Sequence, residues 1–352
     1  MPFTQPERYA LVLAKIGAER SKLLSENKIK SLTESRSLND LASQLRDTSY
    51  QEQISKIQSS LTGRKLERAY YETLIQTYIK IIENSPKNVK QFLSLPLLRF
   101  EVEHLKALIN ATNAKQSIEQ KIAIIYFSVE DYFDNRKVFE EAAKAPTISL
   151  IVNLFKETEY WPALQTGLKT YEECGSTISF NISIDKLFYE KVYEAYNGLP
   201  RKEKSHAKYY ASIDLDSFTL LTILRAKSLN FDADWLRGVL PTCYFNLDSE
   251  EVESMVSAIS FEAALKLILE SKYRKFFVRE ETPQETISKA ENTFKKAVLQ
   301  YAKDTVIRDT FSVGAPLIFM IRKENEAHNL AIISLCIEAG MKPEEIRSQF
   351  LF

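Results

Sequence analysis

The sequence predicts an all-α protein in which one helical unit is used three times. Glycine is the first observation: 8 residues in 352, against a usual ~7%, leave little material for tight β-hairpins. The second is a helix opened by Ser or Thr, apolar on one side and running to a tyrosine, present in three copies. These are Ser37, Leu38, Leu41, Leu45, Thr48, Tyr50; Thr147, Ile148, Ile151, Phe155, Thr158, Tyr160; and Ser260, Phe261, Ala264, Ile268, Ser271, Tyr273. The third is a carboxylate downstream of each copy with a polar residue three positions on: Glu101 with His104, Asp216 with Thr219, Glu326 with Asn329. Tyr50 to Tyr160 is 110 residues and Tyr160 to Tyr273 is 113; Glu101 to Asp216 is 115 and Asp216 to Glu326 is 110. Two independent markers share one period, the signature of a repeat architecture.

The elements follow from spacing and caps. Tyr9, Leu13, Ile16 and Leu24 lie at helical spacing, and Ser25 with Glu26 then opens a short helix bearing Ile29 and Leu32. Ser37 caps the next. The same order recurs where Asp248, Ser249 and Glu250 start a helix and Ser260 caps its successor. Amphipathic stretches at 66–83, 184–197 and 285–304 give each unit a long helix. Gly314, Ala315 and Pro316 read as a break before the helix that carries Glu326 and Asn329. After the carboxylates, 231–237 matches 341–347 at a constant offset of 110, so the expected domains are 1–111, 112–229 and 230–352.

Composition narrows the function. Lys plus Arg and Asp plus Glu are 47 each, so no net field draws the molecule onto nucleic acid or an anionic bilayer, and no nucleic-acid partner is expected. The glycines are too far apart for a dinucleotide fingerprint or a phosphate loop. Three unpaired-looking cysteines, Cys174, Cys243 and Cys336, fit a reducing compartment and read as core thiols. The N-terminal stretch lacks a leader pattern and no apolar run reaches the ~18 residues of a span, so a soluble chain is expected. Glu324 and His328 stand at i, i+4 but lack a third ligand, and no G-x-S-x-G elbow presents a nucleophile. Catalytic residues, cofactors and metals are therefore not expected. The motif residues Tyr50, Tyr160, Tyr273, Glu101, His104, Asp216, Thr219, Glu326 and Asn329 read as a structural clamp, each acid accepting from a neighbouring helix start while the residue at i+3 completes the network.

The run Lys15 to Leu24 after Tyr9, the Ser/Thr-to-Tyr helices, the stretch 216–227, and Glu326 to Leu330 with 342–347 resemble the C subunit of archaeal-type rotary ATPases, whose eukaryotic relative is the d subunit of the vacuolar proton pump. The resemblance spans nearly the whole chain. It implies three similar helical domains in a pseudo-threefold funnel, without an active site. It also implies a single copy on the cytoplasmic face of the membrane, peripheral, holding the central-stalk subunits to the membrane rotor ring. Where the family pattern has Asn three residues after the acid, this chain has His104 and Thr219 and keeps Asn at 329. A free helical-repeat adaptor for soluble proteins is the alternative from another class, and a hydrolase using scattered acids is the enzymatic rival.

Overall fold

The computed structural model describes residues 5–305 and 310–350; among these the regular structure is helical and no strand occurs. The helix starts are set by side chains as the sequence indicates. Ser25, Ser37, Thr62, Ser117, Thr147, Asp232, Asp248 and Ser260 each accept a hydrogen bond from a backbone N–H in the first turn. Ser117 with Gln120 and Asp248 with Glu251 close reciprocal capping boxes.

Two compact units emerge from the packing, Met1–Leu93 with Lys295–Phe352, and Ser94–Phe294. In the first, helix Gly63–Glu83 lies along helix Gly314–Glu338, and Leu66, Leu74, Ile81, Leu317 and Leu330 on these two helices are buried. Polar ties cross the same contact: the Tyr70 and Ser334 hydroxyls are 3.0 Å apart, and Tyr78 donates to the Met320 carbonyl at 3.2 Å. Helix Gln5–Arg20 packs on both, and its Glu19 takes the ammonium groups of Lys80 and Lys22.

In the second unit, helix Ile178–Asn197 packs between helices Leu95–Asn113 and Arg201–Ser228. Arg99 reaches both Asp214 carboxylate oxygens from one nitrogen, Nη2, at 2.7 and 2.6 Å while its guanidinium sits 4.6 Å over the Phe188 ring, and Lys106 reaches Asp185 at 2.7 Å. Helix Trp161–Cys174 approaches helix Ile178–Asn197 so closely at Gly167 that a Cβ there would stand 2.3 Å from Phe180 Cδ1. Only glycine permits that approach.

Three local expectations are corrected. The Ser/Thr-opened helices stop before the tyrosine, at Gln44, Leu154 and Glu270, for a reason given below. Gly314, Ala315 and Pro316 form the first turn of the helix they were expected to precede; a first-turn proline loses no helical hydrogen bond, since that N–H has no partner inside the helix. Cys243 and Cys336 are free thiols of intermediate exposure, not core residues, with burial raising the pKa of both and pushing Cys243 up to about 11. The side chain of Cys174 lies outside the described residues.

Candidate functional site

Each tyrosine is aimed by the hydroxyl two residues before it. Thr48 Oγ1 donates to the Leu45 carbonyl at 2.6 Å and accepts Tyr50 N–H at 3.3 Å. Thr158 does the same with Phe155 and Tyr160, at 2.7 and 3.3 Å, and Ser271 with Ile268 and Tyr273, at 2.7 and 3.1 Å. A hydroxyl that caps a helix carbonyl and then holds the next N–H competes with the helical ladder. It ends the helix and fixes the turn from which the ring enters the core.

All three rings meet a carboxylate, and the pairing runs between successive copies. Tyr160 donates to Glu101 Oε2 at 2.6 Å and Tyr273 to Asp216 Oδ2 at 2.6 Å, so each acid holds the tyrosine of the following copy. The third acid holds the first tyrosine: Tyr50 donates to Glu326 Oε1 at 2.8 Å. All six residues are buried, none more than 3% exposed. Desolvation, and then the adjacent carboxylate, raise the pKa of every one of these tyrosines. The phenols therefore stay protonated and act as donors.

In each copy one or two further donors come from the stretch just before the corresponding short helix, and Glu326 adds one from its own helix. Asp216 takes backbone N–H groups, from Phe245 at 3.0 Å and Asn246 at 2.8 Å, ahead of helix Ser249–Val256. Glu326 accepts Leu24 N–H at 2.5 Å, one residue before the Ser25 cap, and forms a buried ion pair with Lys323 Nζ at 2.6 Å. That ammonium lies 4.2 Å over the Tyr50 ring and also reaches Ser49 Oγ at 3.0 Å. Glu101 accepts the Asn135 side-chain amide at 2.6 Å, at the head of helix Arg136–Lys144. Burial raises the pKa of Glu101 and Asp216 despite these donors.

The residues at i+3 do not complete those networks. His104 turns instead to Glu130, with Nδ1 2.6 Å from Oε1, and accepts Tyr126 N–H on Nε2 at 3.3 Å. Thr219 donates back to Leu215 on its own helix at 3.2 Å. Asn329 is fully buried and neither its oxygen nor its nitrogen has a hydrogen-bond partner. Sequence reasoning also missed Lys323, Glu130, Asn135 and the backbone donors. Lys323 stood in view at i−3 from Glu326; the others sit too far along the chain for any local pattern to connect them.

Chemically the arrangement is suited to gripping: each acid is buried and occupied by internal donors. Glu324 bonds Tyr78, burial lowers the pKa of His328, and no group of three His, Cys, Asp or Glu among the described residues is placed to hold a metal. No helix of the described residues is long and apolar enough to cross a membrane.

Known proteins are similar to this chain over almost its whole length. The A-type ATP synthase C subunit of Methanocaldococcus jannaschii is 28% identical over 345 residues, covering 97% of this chain and 85% of that one. The protein of the same name from Desulfurococcus sp. (strain SY) is 26% identical, with 96% and 89% covered, and that of Thermococcus kodakarensis is 25% identical, again with 96% and 89% covered. The family described as ATP synthase (C/AC39) subunit matches residues 12–349. With its three tyrosine–carboxylate bonds inside that span, this chain belongs to the ATP synthase (C/AC39) subunit family.

Proposed function

We propose that the chain is a non-catalytic central-rotor subunit of an A/V-type rotary ATPase, coupling the central stalk to the membrane rotor ring for ion-driven ATP synthesis or ATP-driven ion transport. The observation that carries this reading is the family match over residues 12–349, joined to relatives named as the C subunit of an A-type ATP synthase along their length. The buried motif supports it. A part that transmits torque must hold its internal contacts under load, and charge-assisted hydrogen bonds away from water do so where exposed ion pairs would not.

The repeats 1–111, 112–229 and 230–352 are proposed as three similar helical domains in a pseudo-threefold funnel. Support lies in the cyclic order of the bonds, in which the third acid takes the first tyrosine. The proposed site is the cytoplasmic face of the membrane, peripherally, one copy per complex.

The test is affinity capture of the tagged chain from detergent-solubilised membranes, with identification of what comes with it. Stalk subunits, catalytic subunits and a ring subunit in fixed ratio to one copy of the chain would support the proposal. Recovery from the soluble fraction with soluble partners alone would favour a free helical adaptor and overturn it.

A further inference from the structure

One seam carries a buried group with no counterpart in the other two. Glu130, on the short helix Phe127–Tyr132, is completely buried and packs against helix Leu95–Asn113 beside Glu101. Its Oε1 faces His104 Nδ1, while Oε2 has no donor near it. Glu101 is already occupied on both oxygens, by Asn135 and Tyr160 at 2.6 Å each.

Tyr126 N–H points at His104 Nε2 at 3.3 Å, the geometry of a neutral ring whose hydrogen is on Nδ1 and faces Glu130 Oε1. The surrounding acids, Asp131 and Glu159, add negative potential to the pair. Arg136 acts on Glu130 in the opposite sense but lies at the surface, held by Asp131 and Glu140. The side chains packed here are otherwise apolar: Phe139 of helix Arg136–Lys144 meets the His104 ring, and Phe155, just after helix Ile148–Leu154, meets Phe139. Two carboxylates buried side by side without a cation cannot both ionise.

We infer that Glu101 and Glu130 share one proton in the folded chain at neutral pH, and that this proton latches helix Phe127–Tyr132 to helix Leu95–Asn113. The proton sits on Glu130 Oε2 and is donated to Glu101, which satisfies the oxygen that otherwise has no partner. It takes the place that Lys323 holds beside Glu326 and that two backbone N–H groups hold beside Asp216.

Burial, then the charge of Glu101, push the Glu130 carboxyl well above the ordinary carboxylate range. A carboxyl whose folded pKa is raised stabilises the protein fully below its unfolded pKa and loses that contribution as pH rises through the folded value. The latch therefore weakens from the ordinary carboxylate range upward, and the folding equilibrium constant falls by up to about tenfold per pH unit for the one proton.

Glu130→Gln tests this, because the amide can accept His104 Nδ1–H and donate to Glu101 without titrating. The full-length chain would be labelled with 13C-carboxyl glutamate and its infrared spectrum recorded at neutral pH, together with urea unfolding over a pH series. The expected results are a protonated-carboxyl C=O band in the parent chain that is lost in Glu130→Gln, and a fall in stability above neutrality that the variant lacks. If the variant does not fold, 13C NMR titration of the parent chain decides: one glutamate carboxyl still protonated at neutral pH supports the proposal. Every glutamate ionised at neutral pH, or an unchanged pH slope in Glu130→Gln, overturns it.

Discussion

Replacing Glu326 by alanine strips a buried cluster of its shared acceptor. In the folded chain the carboxylate accepts Lys323 Nζ at 2.6 Å, Tyr50 Oη at 2.8 Å and Leu24 N at 2.5 Å, and both Lys323 and Tyr50 are buried. Removing one partner of a buried ion pair costs about 3–5 kcal/mol, because the surviving charge is left without compensation. The orphaned phenol and N–H would each add about 1–3 kcal/mol if independent. They are not independent, since all three donors meet one group and Lys323 keeps Ser49 Oγ at 3.0 Å. The expected loss is thus about 3–5 kcal/mol in total, read as a lowered urea midpoint of the purified chain. A second substitution sharpens the test: adding Lys323→Met to Glu326→Ala removes the stranded charge, and the double variant should be more stable than Glu326→Ala alone. A loss under about 1 kcal/mol for Glu326→Ala, or no recovery in the double variant, would refute the ion-pair reasoning.

The other seams yield further expectations. Tyr160→Phe and Tyr273→Phe each delete one hydrogen bond to a buried carboxylate and should cost about 1.5–3 kcal/mol by urea unfolding, with no loss for either variant arguing against the motif as a clamp. Asn329→Leu removes a buried amide that has no partner and should leave thermal stability unchanged or raised by about 1 kcal/mol; a clear fall would show that the amide is satisfied in solution. Gly167→Ala drives a methyl into Phe180, including its Cα at 2.9 Å, and should lower the melting temperature by an amount equivalent to about 1–3 kcal/mol; a neutral result would mean that the two helices separate easily.

The helices and their starts were legible because the signals are local. Ser37, Thr147 and Ser260 each lie next to the helix they cap, and the apolar residues that follow are one turn apart. The six residues of the tyrosine and acid markers were legible because repetition exposed them. What they touch was not: Tyr50 and Glu326 are separated by 276 positions, and a repeat read along the chain does not reveal that each acid serves the next copy. The counter-charge was hidden for another reason. The acid recurs in all three copies, but a lysine stands beside one, a second carboxyl beside another and backbone donors beside the third, and no single pattern predicts all three. Thr48, Thr158 and Ser271 were visible in the repeat, yet the hydroxyl-capped turn that ends the helix there was misread as helix continuing to the tyrosine. At Gly314 to Pro316 the error ran the other way, because break-forming residues are also first-turn residues.

The most direct test of the central proposal compares ATPase complexes reassembled in lipid vesicles with and without this chain, measuring ATP hydrolysis and ion uptake on the same preparation. A coupling part with no chemistry of its own predicts that hydrolysis persists without it while ions moved per ATP fall sharply, and that adding the chain back restores uptake. Uptake per ATP that is the same in its presence and absence would contradict the proposed role, and hydrolysis that stops when the chain alone is withheld would contradict its being non-catalytic.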